Sequence, residues 1–228
     1  MQQKKNRASR SKALLARYAA ERYKNILFTD EKIFTIEEKF NRQNDRVYAL
    51  SRKSIPQKFG FSLRLHHPAY VMVWCGISWQ GKTKLHFVPQ GVKVKAKNYL
   101  EDVLEPVVKP LNTSLFDGKS WTFQQDSVPS HKAKVVQGWL RQNGPDFIST
   151  EEWPAASSDL NPLDYNIWSK LELKVCSKPH TNLKNLKRAL VREWKKFPMD
   201  TIRASIEEWP TRLRACIKAR GGHFEHYM

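Results

Sequence analysis

The sequence has few cysteines and no long apolar run. Cys75, Cys176 and Cys216 are far apart, odd in number and form no C-x-x-C pair, which argues against a disulfide framework or a zinc site and fits a reducing compartment. No apolar run approaches the ~20 residues that a bilayer span needs. The basic start is not followed by an apolar segment, so we expect no secretory signal and no membrane partner.

Acidic residues are also scarce. The chain of 228 residues has 22 Asp and Glu against 40 Lys and Arg, a net charge of +18. Such charge favours a polyanionic partner, above all nucleic acid. An anionic membrane surface would need a basic amphipathic helix, and none stands out. A ribosomal or RNA-packaging protein shares the charge but usually lacks a core with 8 Trp, 7 Tyr and 11 Phe, a content that indicates a folded globule.

Local patterns in the first third of the chain predict a helix, two strands and a basic excursion. Residues 1–24 are basic, and "SKALLARYAAERY" predicts a short helix behind a basic tail. The stretch "NILFTDEKIFTI" predicts a strand, a tight turn at residues 29–32 and a returning strand. Residues 41–68 are basic and interrupted by Pro and Gly, which is typical of a long excursion from the core.

The remainder predicts a hairpin and then alternating helices and strands. "AYVMVWCGISWQGKTKLHFVP" is a hairpin pattern, and "NYLEDVLEPVVKPL" is a helix that Pro106 bends or ends. "WTFQQD" and "FIST" read as strands around a helix "SHKAKVVQGWLRQNG", which Ser130 would cap and Gly144 would stop. Helices follow from Pro162 to the end. The expected fold is α/β, a mixed sheet covered by helices.

Three aspartates stand where strands or loops end. Asp30 and Asp126 each follow an apolar run, and Asp164 lies in the first turn of a helix after Pro162. Taken singly, each is a cap or turn residue. Adjacent parallel strands would bring their carboxyl ends together, and the three carboxylates would then suit Mg²⁺ or Mn²⁺. Two such ions about 4 Å apart can activate an attacking hydroxyl and stabilise a leaving oxygen.

The words around these aspartates resemble the three catalytic motifs of mariner-type DNA transposases, within the RNase H-like transposase and integrase superfamily. They are "LFTDEK", "QQDSVPSH" and "WPAASSDLNPLDYNIW". The spacing of the last two fits the branches that end in Asp, and "RLRACIKARGGHFEHY" is similar to the family's closing segment. Ser127 stands where the family usually has Asn, and Ser158 where Pro is common. The resemblance extends over nearly the whole chain from Tyr23.

This resemblance implies an RNase H-like catalytic domain over residues 25–228, after a basic linker or helix at 1–24. Residues 41–68 would form a clamp-like insertion that reaches the partner subunit of a homodimer, or else a mobile surface hairpin. Residues 181–228 would be C-terminal helices. Family members carry N-terminal helix-turn-helix domains, and this chain begins after them, so it resembles a catalytic core.

The resemblance also implies a reaction and its residues. The family cleaves DNA at transposon ends with water, and the freed 3′-hydroxyl attacks a TA target, in the nucleus. Asp30, Asp126 and Asp164 would be the catalytic residues and the ligands of two Mg²⁺ ions, with Mn²⁺ as a substitute. Candidate DNA contacts, through counterion release, are Arg42, Arg46, Arg52, Lys53, Lys58 and His131.

Several alternatives stay open at this point. His131 either orients a metal ligand, contacts a phosphate or is structural. We expect Asp159 to be a hydrogen-bonding loop residue, and we assign no metal role to the histidines His66, His67, His223 and His226. The chain could be a domesticated, non-catalytic DNA-binding protein, although the intact Asp triad argues against that. It could also be an RNase H-like nuclease acting on RNA–DNA hybrids or junctions, which the third motif disfavours.

Overall fold

One ten-residue strand organises the sheet. The computed structural model describes residues 2–37, 50–54, 68–89 and 95–228. Strand β1 (Ile26–Thr35) pairs antiparallel with β2 (Tyr70–Ile77) and parallel with β4 (Thr122–Gln124). Strand β3 (His86–Val88) adds to β2 as a hairpin, and β5 (Asp146–Phe147) adds in parallel to β4. The described sheet therefore has the order β3-β2-β1-β4-β5, and both the mixed sheet and the hairpin are confirmed.

Helices cover both faces of this sheet. The α-helices are α1 (Gln2–Arg17), α2 (Ala96–Tyr99), α3 (Leu111–Ser114), α4 (Pro129–Lys132), α5 (Lys134–Asn143), α6 (Trp168–Val175), α7 (Leu183–Lys196) and α8 (Met199–Lys218). Stretches with π-type hydrogen bonds continue α2 (Leu100–Val108) and precede α6 (Leu163–Ile167). Short 3₁₀ turns lie at Arg22–Asn25, Arg52–Ser54, Ser158–Leu160 and Glu225–Tyr227.

The apolar core is split into two parts by the sheet. Phe28 and Val73 lie in one part with α1, α6, α7 and α8, while Leu27 and Trp74 lie in the other with α2 and α5. Successive strand residues thus point to opposite faces and both are buried, as expected for a sheet between two helical layers. Helix α1 belongs to this fold, because Leu14 and Tyr18 share the first part of the core and the helix packs along α8.

The predicted turn at residues 29–32 is wrong, because β1 is continuous. Its ladder with β2 runs from Phe28, opposite Ile77, to Thr35, opposite Tyr70, so residues 29–32 stay within it. The segment contains no Gly, Pro or Asn-Gly to supply the backbone angles of a tight turn. Asp30 therefore lies inside a strand and not at its end.

Other boundaries also differ from expectation. Ser130 is not a helix cap, because α4 begins at Pro129 and the extended backbone of Ala133 separates it from α5; Gly144 does end α5. The strand expected at "FIST" lies earlier, and only Phe147 is common to both. Pro106 does not end its helix, since the π-type stretch continues to Val108. Helix α1 includes the predicted basic tail.

Of the predicted clamp at 41–68, only residues 50–54 and Pro68 lie within the described chain. The proposed DNA contacts Arg42, Arg46 and Lys58, and the pair His66 and His67, fall outside it. Lys53 is exposed on the 3₁₀ turn that begins at Arg52. These DNA contacts stay predictions.

Candidate active site

The register of two parallel strands sets Asp30 and Asp126 at one level. The last β1–β4 pair is Phe28 with Gln124, and each aspartate follows its member of that pair by two residues. Between them, Thr29 N–H donates to Gln124 Oε1 (3.1 Å) and Thr29 Oγ1 donates to the Gln124 carbonyl (2.7 Å). Side-chain bonds thus continue the link between the strands where regular pairing stops.

Asn161 brings the third aspartate to the same place. Its Nδ2 donates to the carbonyl of Thr29 (3.0 Å), the residue before Asp30, and its Oδ1 accepts the N–H of Leu163 (3.1 Å). Its own carbonyl accepts the N–H of Asp164 at 3.0 Å. One buried amide therefore fixes the start of the Asp164 helix against β1, which gives the Asn-Pro of the third motif a physical role.

Asp30 and Asp164 form a carboxyl pair. Each carboxyl group affects the pKa of the other, and Trp168, one turn after Asp164, donates its indole N–H to Asp30 Oδ2 at 2.6 Å. Burial and the negative charges of Asp164 and Glu31 raise the pKa of Asp30 to about 9. Burial, together with the charges of Asp126 and Glu31, raises the pKa of Asp164 as well. Without a cation, this pair holds a proton near neutral pH.

Asp126 is stabilised differently, by a histidine. Its Oδ1 accepts the N–H of Val128 (3.1 Å) and lies 2.7 Å from His131 Nδ1. Burial by itself raises the pKa of Asp126, but the bond and charge of His131 outweigh it and hold the pKa below its ordinary value. Asp126 is therefore ionised.

His131 lies between two carboxylates. Its Nε2 is 3.5 Å from Glu31 Oε1, its ring contacts Tyr99 (4.1 Å between ring centroids), and its side chain is only 2% exposed. Burial lowers the pKa of His131, but hydrogen bonds to Asp126 and Glu31 outweigh this and raise it to about 9. Because both ring nitrogens face carboxylates, the geometry favours a role in orienting Asp126 over contact with a DNA phosphate.

Sequence reasoning missed Glu31. The side chains of a strand alternate, so Glu31 points away from Asp30 and toward the face that holds His131. The expected turn at 29–32 hid that alternation; an uninterrupted strand would have revealed it. Asp159 is paired with Arg7 in agreement with a loop role, and His223 stacks on His226 (5.3 Å between ring centroids).

The donor set fits hard divalent cations. Asp164 is shared by two open clefts, one of about 490 Å³ with Asp30 and Glu172, the other of about 360 Å³ with Asp126 and Ser127. Carboxylate oxygens suit Mg²⁺ and Mn²⁺, and the raised pKa values of Asp30 and Asp164 reflect burial first and neighbouring negative charge second, both of which a bound cation would offset. As they stand, no three His, Cys, Asp or Glu side chains of the described chain are grouped to hold one ion. Asp126 Oδ1 is engaged by His131, so coordination requires side-chain rearrangement.

No family model matches the chain, but individual proteins do. The Tcb1 transposase of Caenorhabditis briggsae is 29% identical over 193 residues, which cover 83% of this chain and 68% of that protein. The Tc3 transposase of Caenorhabditis elegans is 26% identical over 201 residues, 87% of this chain and 57% of that protein. Within the described ranges, no helix has the length and apolarity to cross a membrane.

Solved structures of the Mos1 transposase share the fold. A Mos1 paired-end complex with the left transposon end matches with a TM-score of 0.83 and 19% identity, covering 99% of this chain and 64% of that one. The Mos1 catalytic domain with raltegravir and Mn matches with a TM-score of 0.75 and 19% identity, covering 99% and 98%. The expected RNase H-like fold is thereby confirmed. The chain is similar in sequence to transposases of the Tc1/mariner family and has the fold of the Mos1 mariner catalytic domain.

Proposed function

We propose that the chain is the catalytic core of a mariner-type transposase that cuts DNA at element ends and joins the freed 3′-hydroxyl to a TA target. The observation that carries this proposal is that the β1–β4 register sets Asp30 and Asp126 at one level and that Asn161 ties the start of the Asp164 helix to β1. Similarity to the Tcb1 and Tc3 transposases supports it.

In this proposal the three carboxylates hold two Mg²⁺ ions, for which Mn²⁺ can substitute. Bound there, the ions supply activation of the attacking hydroxyl and stabilisation of the leaving oxygen. The protein contributes orientation: Trp168 holds Asp30 Oδ2, and His131 holds Asp126 Oδ1. Lys and Arg side chains bind the DNA backbone, and phosphate contacts of this kind weaken as salt rises.

We further propose that the active form is a homodimer that works on chromosomal DNA in the nucleus. The net charge of +18 suits a DNA partner. Structures of Mos1 are described as a paired-end complex with the left transposon end and as a strand transfer complex. The same kind of assembly is our proposal for this chain.

A strand-transfer assay tests the function. The purified chain is mixed with a pre-cleaved DNA end and a plasmid target in Mg²⁺, Mn²⁺ or EDTA, and the joined products are sequenced. We expect end-to-TA joints with either metal and none in EDTA. A chain that binds DNA but makes no joints with either metal would instead be a domesticated, non-catalytic DNA-binding protein.

A further inference from the structure

The side chain of Arg7 crosses from α1 to the loop that precedes Asp164. It is 12% exposed, and its guanidinium binds two segments at once, the loop at 157–159 and the glycines at 221–222. Nε donates to Ser157 Oγ (3.0 Å), and a second nitrogen is ion-paired with the carboxylate of Asp159. The third donates to the carbonyls of Gly221 and Gly222, each at 3.3 Å.

Of the two loop partners of Arg7, Ser157 directly precedes a tight turn at Ser158–Leu160 and Asp159 lies within it; this turn leads to the candidate active site. The N–H of Leu160 donates to the carbonyl of Ser157, and the N–H of Asn161 donates to that of Ser158, both at 3.0 Å. Asn161 then fixes β1 and the start of the Asp164 helix. The contacts of Arg7 are therefore separated by one short turn from Asn161, the residue that ties the start of the Asp164 helix to β1.

Arg7 also provides the charge that this turn needs. Arg212 approaches Asp159 from α8 but donates to its backbone carbonyl (2.9 Å) and lies over the Tyr165 ring at 3.7 Å. In the described chain the carboxylate of Asp159 is ion-paired with Arg7, and its buried Oδ1 has no hydrogen-bond partner. Removing Arg7 would leave a buried charge unpaired, which is among the more disruptive local changes.

The backbone of α1 is held closely at the same level. Gly221 has φ +76°, and a Cβ there would lie 1.9 Å from the carbonyl oxygen of Lys4, one helical turn before Arg7. Only a residue without a side chain permits this approach. The position of Arg7 is thus defined both by its own helix and by the chain segment after α8.

We propose that Arg7 is a positioning residue of the active site, acting through Asp159 and the Ser158–Leu160 turn to set Asp164 against Asp30. This inference rests on the proposed function of that site. Arg17 offers a matched comparison, since it lies on the same helix and forms ion pairs with Asp146 and Glu152 (2.8 and 2.5 Å). Those partners lie outside the 157–160 segment, so Arg17 also ties α1 to the rest of the fold but has no contact with the turn.

The experiment compares Arg7→Ala, Arg7→Lys, Asp159→Asn and Arg17→Ala in the full chain. Mn²⁺ binding is measured by electron paramagnetic resonance, with Asp164→Asn defining the signal that depends on the site, and strand transfer is measured in parallel. We expect Arg7→Ala to weaken Mn²⁺ binding about 10- to 100-fold, the usual effect of losing a group that orients a ligand. The rate should fall while the KM for DNA stays unchanged.

The other variants separate positioning from folding. Arg7→Lys should recover part of the loss, because an ammonium pairs with Asp159 but lacks the fork that also reaches Ser157 and the glycine carbonyls. If Arg7→Ala fails to fold, Arg7→Lys and Asp159→Asn carry the test. Arg17→Ala should lower Tm and leave Mn²⁺ affinity within about twofold. An Arg7→Ala, Asp159→Asn double variant should be no worse than Arg7→Ala, as expected for two members of one interaction.

Two results would refute the positioning role of Arg7 without touching the proposed function. One is unchanged Mn²⁺ binding in folded Arg7 variants, and the other is an equal loss of Mn²⁺ affinity in Arg17→Ala. A parent chain that binds Mn²⁺ through Asp164 but joins no DNA would refute the proposed function, while the Mn²⁺ comparison would still decide the role of Arg7. A parent with no Asp164-dependent Mn²⁺ signal would refute both.

Discussion

The two halves of the candidate site balance their negative charge in different ways. In the Asp126 half, the carboxylate has a cation within the protein, because His131 lies between Asp126 and Glu31. In the Asp30–Asp164 half, two carboxyl groups face each other and a neutral indole N–H. In the first half a cation touches both carboxylates. In the second, Lys32 lines the cleft and lowers the pKa of Asp164, but burial outweighs it and the pKa stays raised. Among the described residues, the Asp30–Asp164 half is therefore incomplete, and a bound cation there would replace a proton.

The largest effect is expected from replacing one aspartate in each half by Asn: both variants should lose activity, but their Tm values should change in opposite directions. Asp30→Asn and Asp126→Asn should both reduce strand transfer to background while DNA binding survives, because each removes the charge of a proposed metal ligand and keeps the side-chain size. Without metal, Asp30→Asn should raise Tm by about 2 to 4 °C, the shift that ~1 kcal/mol gives in a domain of this size, since folding no longer has to neutralise a buried carboxylate. Asp126→Asn should lower Tm, since His131 loses its partner. Calorimetry in EDTA measures both.

A common sign for the two Tm changes would contradict this division of charge. Asp159→Asn and Lys12→Ala are unsuitable controls for it, because the first disturbs the Arg7 contact and the second changes only an exposed cation. Asp117→Asn is suitable, as a surface aspartate outside the site, and should leave both strand transfer and Tm unchanged.

The next largest effect is expected when the link between the Asp164 helix and strand β1 is removed. Asn161→Ala removes the bonds to the Thr29 carbonyl and the Leu163 N–H, which are buried, and should cost about 2 to 4 kcal/mol of unfolding free energy. Asn182→Ala removes a comparable helix-start bond to Asn185 at an exposed site and should cost ~1 kcal/mol. Strand transfer should fall only in Asn161→Ala. Equal losses of activity would mean that Asn161 does not position Asp164.

Much of the site was predictable from sequence, for identifiable reasons. The three aspartates lie in sequence motifs long enough to be recognised, and the hairpin after residue 69 has a turn-forming Gly81 between its two strands. The turn at residues 29–32 was expected because charged residues are depleted in strands. That prediction was wrong, because pairing with β2 holds these residues in the strand against their local preference. Glu31 was lost with that error.

Other parts of the site depend on contacts that no local pattern records. Arg7 is 152 positions from Asp159, and its basic neighbours made α1 look like a solvated tail. The break between α4 and α5 could not be predicted from local sequence either. The carbonyl of His131, which has no helical partner at the break, accepts a hydrogen bond from the Gln137 side chain at 2.9 Å, and only the folded chain shows this bond. Charge runs and helix patterns are therefore weak guides where the partner is distant in sequence.

The raised pKa of Asp30 in the Asp30–Asp164 half should be visible in how the stability of the chain depends on pH. The pKa of Asp30 is raised to about 9 in the folded chain, so the folded state binds a proton that the unfolded state releases near pH 4. Stability should therefore fall as pH rises from about 4 toward 9. His131, raised from 6.5 to about 9, adds a loss of the same sign above pH 6.5. Urea titrations from pH 6 to 9 in EDTA measure the slope.

Two variants test whether Asp30 and His131 cause the fall in stability with rising pH. Asp30→Asn should make it shallower, and saturating Mn²⁺ should do the same, because the cation replaces the proton. Glu31→Gln should lower the pKa of His131, which NMR titration of the ring can follow. An unchanged slope in Asp30→Asn would mean that the carboxyl pair is ionised in the folded chain, and the contrast between the halves would be lost.

The smallest effect concerns the wall that both halves share. Ala156 lines the cleft that contains Asp126 and Asp164, and its φ of 51° lies in the left-handed region that alanine rarely adopts. Such a conformation costs about 1 to 2 kcal/mol, so Ala156→Gly should stabilise the chain by ~0.5 to 1 kcal/mol after the greater flexibility of the unfolded glycine is subtracted. Ala20→Gly, at φ 52° beyond the end of α1, should give a similar gain far from the site. If the strain shapes the cleft, only Ala156→Gly will also change the strand-transfer rate or the Mn²⁺ affinity. Equal gains in stability with no change in either would show that the wall is merely strained and that the contrast between the halves rests on the charges alone.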